Sequence, residues 1–453
     1  MADKPQLFGT DGVRGVAGQP PLDPATVWKL GFAVGVVLGR EPARRAGSVV
    51  LGEDTRESSP WISRTLAAGL AASGVQVTYA GVITTPGVAF LTRHHGFAAG
   101  IMVSASHNPF EDNGIKVLSS SGMKLGAQAE LAIERALASA VTPSDAGDPT
   151  SLGISPELFN DYRDYLVSLA GESSRLAGLR VVADCAHGAS SRVAPEVLKR
   201  LGIEARVLHA EPNGRNINVE CGSLHPGAMA SDTKSSAADL GVAFDGDADR
   251  ALFASSRGRV IDGDCVLYAC ARHFQNQRTL RGDHVVGTLM TNLGLEVALK
   301  PHGIGLKRTA VGDKYVLEEM VRSGINLGGE PSGHIIFSDI ALAGDGIITM
   351  LQMLRLLAET GQTLDALVDG LQQLPQLIRN ERVREKPPLD SIPPVAEAIA
   401  RSRQEFGDRG RVVVRYSGTE KLARVMVEAE DADSVERHTR QIAQAIEAAI
   451  GAK

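Results

Sequence analysis

The sequence predicts an α/β protein in which three related α/β units with mixed sheets and a small C-terminal α+β domain surround one central cleft. Strand-like and helix-like patterns alternate for most of the chain. A Val-Val strand occurs three times, at 49–50, 181–182 and 285–286, and leads each time into a helical stretch, near 60–73, 190–201 and 293–300. A glycine and a second strand follow, and then a third strand opening on glycine: Gly100-Ile-Met-Val, Gly241-Val-Ala-Phe and Gly324-Ile-Asn-Leu. A different polar loop leaves each third strand: Ser-Ala-Ser-His-Asn-Pro at 104–109, Asp-Gly-Asp-Ala-Asp-Arg at 245–250 and Gly-Gly-Glu-Pro-Ser-Gly-His at 328–334. The carboxyl ends of strands are where open α/β sheets bind ligands.

Turn-forming stretches divide the chain. Residues 140–155 read as a linker, a softer boundary lies near 255–259, and the proline-rich 375–394 reads as a second linker and hinge. The expected domains are 1–148, 156–256, 257–374 and, with its linker, 375–453. The last should hold helix 395–405, strands 412–416 and 424–429, and helix 434–450.

Composition narrows the function. A hydrophobic content of 43% and a charged content of 22% are those of an ordinary globular protein, and 49 glycines suit many tight loops. The net charge of −6 argues against a nucleic acid or an acidic membrane as partner. Four scattered cysteines without a CxxC pair and no signal-like N-terminus lead to the expectation of a cytoplasmic enzyme or binding protein.

The loops carry the chemistry. Ser104 or Ser106, at a strand end with an imidazole (His107) and an ammonium (Lys116) nearby, has the makings of an activated nucleophile. Asp245, Asp247 and Asp249 alternate after a buried strand. Three carboxylates so close repel one another unless a cation sits among them, and oxygen-only ligands favour Mg²⁺. Gly246 is read as the residue that turns these side chains inward. The loop Gly9-Thr-Asp-Gly-Val-Arg-Gly15 offers backbone N–H groups and Arg14 to an oxyanion. Arg415-Tyr-Ser-Gly-Thr-Glu420 offers a forked cation and two hydroxyls to a phosphate. Glu330, Ser332 and His334 suit the hydroxyls of a sugar. A nucleophile, a metal site, a hydroxyl-binding loop and a phosphate clamp are the parts of phosphoryl transfer, and without a GxxxxGK[ST] stretch a nucleotide donor is not implied.

Those five motifs, in this order and over nearly the whole chain, resemble the α-D-phosphohexomutase superfamily. Cys221-Gly-Ser-Leu-His-Pro, Met290-Thr-Asn-Leu-Gly-Leu-Glu and Thr309-Ala-Val-Gly-Asp-Lys-Tyr-Val are similar to its glucosamine branch. The resemblance implies that Ser106 carries a phosphoryl group as phosphoserine. It also implies that Asp245, Asp247, Asp249 and phospho-Ser106 hold one Mg²⁺ per chain. It puts Glu330 and Ser332 on sugar hydroxyls, and Arg415, Ser417, Gly418 and Thr419 on the non-reacting phosphate. Arg14, Lys116 and His334 fall where phosphate stabilisation and proton transfer are expected, with Lys116 and His334 both candidates for the base; His107 and Arg250 support the phosphate loop. Pro331 departs from the branch pattern, which bears on the choice of sugar.

The implied reaction interconverts glucosamine 6-phosphate and glucosamine 1-phosphate through a sugar 1,6-bisphosphate that also serves as activator, supplying precursors of UDP-N-acetylglucosamine and the cell envelope. The implied partner is a small sugar phosphate, with the chain a monomer or homodimer. Phosphomannomutase or phosphoglucomutase activity is the alternative within the family. An aspartyl-phosphate phosphatase using Asp245, or a sugar-phosphate sensor, are the alternatives outside it.

Overall fold

The computed structural model describes residues 7–9, 11–39, 45–141, 152–171, 175–417 and 421–452. It contains three α/β units with mixed sheets and a small C-terminal α+β unit. The chain forms two compact units, Met1–Gly282 with Gly312–Asp369 and Asp283–Val311 with Gly370–Lys453.

The first sheet comprises β1 (Val13–Val16), β2 (Arg45–Glu53), β3 (Gln76–Val82), β4 (Phe97–Val103) and β5 (Asp112–Ser119), in the order β1-β5-β4-β2-β3. The Val49-Val50 strand β2 runs parallel to both β3 and β4, while β5 folds back antiparallel on β4. The second comprises β6 (Arg180–Asp184), β7 (Glu204–Leu208), β8 (Leu240–Phe244), β9 (Ala251–Ala254) and β10 (Val260–Ile261), in the order β10-β9-β8-β6-β7. Again the Val-Val strand β6 is parallel to the next two, and β9 returns antiparallel on β8. The repeat read from the sequence is therefore present strand for strand in these two sheets. Their third strands, β4 and β8, are buried along their whole length, so polar residues collect only beyond their carboxyl ends.

Helices close over the first sheet. Asp23 caps helix Pro24–Leu38 by accepting from Thr26 N, and Pro24 pre-sets its first turn. This helix meets helix Ser59–Ala72 through glycines: a Cβ on Gly31 would stand 2.2 Å from the Leu66 carbonyl, and one on Gly69 2.1 Å from that of Trp28. Only a residue without Cβ permits that approach.

In the third sequence unit β11 (His284–Thr288) and β12 (Gly305–Thr309) pair in parallel, within the second compact unit. In the first compact unit, β13 (Leu327–Gly329) pairs antiparallel with β14 (Ile335–Phe337). The expected strand start at Gly324 is corrected: Gly324, at φ 71°, is the left-handed cap of helix Asp313–Ser323, and the strand begins at Leu327.

The C-terminal sheet has the order β15 (Gln376–Arg382), β17 (Leu422–Ala429) and β16 (Gly410–Tyr416), packed on helices Pro393–Phe406 and Ala432–Ile450. The linker expected over 375–394 is thus in part a strand. Its prolines lie outside β15, at 375 and from 387 on, leaving an edge segment able to pair with β17 throughout. Of the other expected linker, residues 142–151 lie outside the described residues. Among the described residues no helix is long and apolar enough to cross a membrane.

Candidate active site

The chain turns sharply after β4. Ser104 N still donates to Gly114 O on β5, at 2.9 Å, and the Ser104 hydroxyl accepts from Ser106 N, also at 2.9 Å. Ser104 is therefore committed to shaping the turn. Ser106 sits at φ 55°, in the left-handed region, and is 2% exposed. A non-glycine residue there is strained, by roughly 1–3 kcal/mol, and the surroundings have to enforce it. Arg56 and Asn218 do so. Arg56 Nη2 donates to the carbonyls of Ser106 and Asn108, both at 2.9 Å, and Nη1 to that of Pro109. Asn218 Nδ2 donates to the same carbonyls of Ser106 and Asn108, at 2.9 and 3.1 Å. Arg56 is itself held by Asp54, at 2.9 Å, with both side chains wholly buried.

The Ser106 hydroxyl donates to Asp245 Oδ2 at 2.6 Å and lies 3.2 Å from His107 Nδ1. Asp245, Asp247 and Asp249 bring carboxylate oxygens within 4.8 Å of one another just past β8. Asp245 is buried and faced by the other two, and both effects push its carboxyl well above the usual range. Burial works the same way on Asp249, but Lys116, His334 and Arg250 hold that carboxyl well below it. Oδ1 of Asp247 and Oδ1 of Asp249 are buried without a hydrogen-bond partner. Hard oxygen donors with orphaned lone pairs fit a hard divalent cation. The triad is able to hold a metal ion. Gly246 has a different reason from the one expected: a Cβ there would stand 2.5 Å from the Ser106 carbonyl, and the left-handed residue of the loop is Ala248.

Lys116, on β5, points into the same place. Its Nζ is 2.7 Å from Asp247 Oδ2, 3.1 Å from Asp11 Oδ2 and 3.7 Å from Asp249 Oδ2. Burial opposes its charge, yet the three carboxylates outweigh burial and keep it an ammonium. Arg14 pairs with Asp11 and donates to the Ala105 carbonyl at 3.1 Å. The His107 imidazole is pushed down to about 4 by burial and by Arg250 and Arg14, so it is neutral at pH 7. Arg250 donates its backbone N–H to Asp245 Oδ1 at 3.2 Å. His334 lies 3.7 Å from Asp249 and 3.7 Å from Asp313; burial disfavours its charge, but these carboxylates raise it above the usual imidazole value. Glu330 and Ser332 occupy the turn between β13 and β14, half-buried, with Glu330 accepting from Gly312 N at 3.1 Å.

Ser106, Lys116, His334, Arg14, His107, Arg250 and the triad thus form one connected cluster. Sequence reasoning missed several of its members. Arg56 and Asn218 hold the serine turn, Thr85 bonds Asp247, and Lys124 bridges Asp11 and Asp313 at 2.6 and 2.7 Å. Asp11 alone had a signal, its place inside the first glycine-rich loop.

The second compact unit carries the other predicted residues. Arg415 on β16 stands directly opposite Arg424 on β17, and Ser417 ends the strand with its N–H on Leu422 O at 2.8 Å. Burial, together with Arg424, pulls the Arg415 guanidinium below its usual value. Like charges placed opposite each other across a sheet are unfavourable, and an anion over the pair relieves them. Gly418 and Thr419 lie outside the described residues.

Family models for phosphoglucomutase/phosphomannomutase match four successive segments: domain I at 5–143, domain II at 160–258, domain III at 262–374 and the C-terminal domain at 377–445. The chain belongs to this family. A phosphoglucosamine mutase of Koribacter versatilis is 50% identical over 99% of this chain and 98% of its own length. Those of Solibacter usitatus and Deinococcus radiodurans are 50% and 45% identical, each over 98% of this chain and 99% and 98% of their own. The fold is shared with a phosphoglucomutase/phosphomannomutase family protein of Burkholderia thailandensis, at TM-score 0.77 and 23% identity, over 98% of this chain and 97% of that one. It is shared also with Aspergillus fumigatus N-acetylphosphoglucosamine mutase, solved with GlcNAc-6P and magnesium, at TM-score 0.66 and 18% identity, over 97% and 95% of the two chains.

Proposed function

We propose that the protein is a cytoplasmic isomerase that interconverts glucosamine 6-phosphate and glucosamine 1-phosphate, with Ser106 as phosphoryl carrier. The observation that carries this reading is the Ser106 hydroxyl, buried and 2.6 Å from Asp245 in a triad that fits a divalent cation. Relatives called phosphoglucosamine mutase, 45–50% identical over nearly the whole chain, support the sugar.

In the cycle proposed, phospho-Ser106 gives its phosphoryl group to the free 1- or 6-hydroxyl of the sugar phosphate. The P–O bond to Ser106 breaks as the P–O bond to the sugar forms, and the sugar hydroxyl loses its proton. The resulting 1,6-bisphosphate turns over, and its other phosphoryl group returns to Ser106. Asp245, Asp247 and Asp249 would hold Mg²⁺, which when bound supplies charge neutralisation at the transferring group. Lys116, kept an ammonium by Asp11, Asp247 and Asp249, serves as a fixed positive charge beside the phosphoryl group. That leaves His334, an imidazole 3.7 Å from both Asp249 and Asp313, as the preferred acid and base. Glu330 and Ser332 orient the sugar hydroxyls, and Arg415 with Ser417, Gly418 and Thr419 binds the phosphate that is not reacting. His107 and Arg250 support the serine turn.

Turnover of glucosamine, glucose and mannose 1-phosphates, with Mg²⁺ and a trace of bisphosphate, tests the reading. Glucosamine 1-phosphate is expected to give the highest kcat/KM. Pro331 matches the sugar-loop pattern of neither the glucosamine nor the mannose/glucose branch, so phosphomannomutase or phosphoglucomutase activity is the second reading, and a preference for glucose or mannose would establish it. An acid-stable enzyme phosphate separates both from an aspartyl-phosphate phosphatase, whose acyl phosphate hydroxylamine cleaves.

A further inference from the structure

Away from the reacting serine, three residues of different donor type meet at the carboxyl edge of the second sheet. Asp184 ends β6, His209 follows directly on β7, and Cys221 precedes the turn Gly222–Leu224. A carboxylate oxygen, an imidazole nitrogen and the thiol sulfur lie within 4.8 Å of one another. His209 Nδ1 is 3.0 Å from Asp184 Oδ2, yet it is buried and makes no hydrogen bond of acceptable geometry. Asp184 and Cys221 are fully buried, while the His209 side chain is 31% exposed.

We propose that Asp184, His209 and Cys221 bind a divalent transition metal of the zinc class, with water as the fourth ligand. The donor chemistry selects the ion. Sulfur, nitrogen and one oxygen suit a borderline-soft metal, whereas the oxygen-only triad of Asp245, Asp247 and Asp249 suits a hard one. Donors about 2.0–2.3 Å from a tetrahedral ion stand roughly 3.3–3.7 Å apart, so His209 Nδ1 and Asp184 Oδ2, now 3.0 Å apart, move slightly away from each other on binding. Asp184 is already oriented: its Oδ1 accepts from Ala186 N at 2.9 Å and its Oδ2 from Gly222 N at 3.0 Å. Such outer bonds fix a metal ligand in place. On binding, the sulfur coordinates as thiolate and its proton leaves to solvent.

The site is linked to the serine turn. Asn218, three residues before Cys221, donates from its side chain to the Ser106 carbonyl and from its backbone to the Ala186 carbonyl. A metal held by Asp184, His209 and Cys221 therefore fastens the loop that supports Ser106.

Titration of the metal-stripped, full-length protein with Co²⁺ tests this. Cobalt bound to a thiolate shows an intense sulfur-to-metal charge-transfer band, which an all-oxygen site cannot produce. The expected result is a band saturating at one ion per chain and displaced by Zn²⁺. It should vanish in Cys221→Ser, weaken at least tenfold in affinity in His209→Gln, and persist in Asp245→Asn. No band in the wild-type protein, or one that survives Cys221→Ser, overturns the proposal. Should Cys221→Ser fail to fold, His209→Gln, altering a part-exposed side chain, decides: unchanged Co²⁺ affinity there also overturns it. The readout needs no sugar phosphate, so its failure is distinct from failure of the mutase reading.

Discussion

Arg56 donates from Nη2 to the carbonyl of Ser106 at 2.9 Å, and neither residue is more than 2% exposed. The guanidinium spans the turn, holding the carbonyls of Ser106, Asn108 and Pro109 while Asp54 holds it from behind. Arg56→Ala leaves Asp54 buried without its partner, a loss of about 3–5 kcal/mol. Arg56→Lys keeps the charge but not the fork, so it should lose less stability and still lower kcat at least tenfold. Thermal melts and turnover on both variants check this; a lysine variant with unchanged kcat would show that the fork is dispensable.

The two serines of the turn should separate cleanly. Ser104→Ala strands the buried Ser106 N–H, which costs about 1–3 kcal/mol, but leaves the proposed phosphoryl carrier in place. Partial activity with a lowered Tm is expected. Ser106→Ala should fold like the wild type and lose nearly all turnover. Near-normal activity in that variant would remove Ser106 from the mechanism.

Arg415→Ala tests the C-terminal clamp. A charge-assisted contact to phosphate is worth about 1.5–3 kcal/mol, or roughly 10–100-fold in affinity. KM for the sugar phosphate should rise by that factor while the unfolding temperature holds or increases, since one member of an opposed cationic pair has gone. Steady-state kinetics with calorimetry measure both, and an unchanged KM refutes the clamp.

Asp345 gives a pH dependence of stability. It caps helix Gly346–Thr360 through Ile347 N and Ile348 N, accepts from the Tyr162 hydroxyl at 2.8 Å, and is pushed up to about 6 by burial. An unfolded aspartate titrates near 4, so the folded state binds this proton more tightly. The resulting stabilisation is complete below about pH 4 and is lost as pH rises to about 6, some 3 kcal/mol in all. Asp345→Asn removes that titration. Relative to wild type its Tm should climb between about pH 4.5 and 7; parallel curves would contradict the assignment.

Much of this could be read from the chain because the informative residues are contiguous. Ser106, the acidic triplet and the 330–334 turn each follow a buried strand, and burial on both faces leaves a plain apolar signature up to the point where polarity begins. Arg56 and Asn218 could not be found that way. Each reaches the serine turn across 50 or more residues of sequence, and nothing in their neighbours sets them apart. Which of two serines turns its hydroxyl to the acidic triad was equally invisible to spacing, because it rests on backbone dihedrals and on where one hydroxyl points. Pro375 and Pro387 suggested a linker, while the pairing that makes β15 a strand is supplied by β17, some forty residues on.

The backbone at Ser106 also limits what evolution can place there. Threonine carries a phosphate as readily as serine, but its branched Cβ is poorly tolerated at a φ of 55°. Chemically equivalent acceptors are therefore not interchangeable at this position. A lineage that drifted to threonine would have to rebuild the turn, along with the carbonyl contacts of Arg56 and Asn218, before this position could play the carrier role proposed for it.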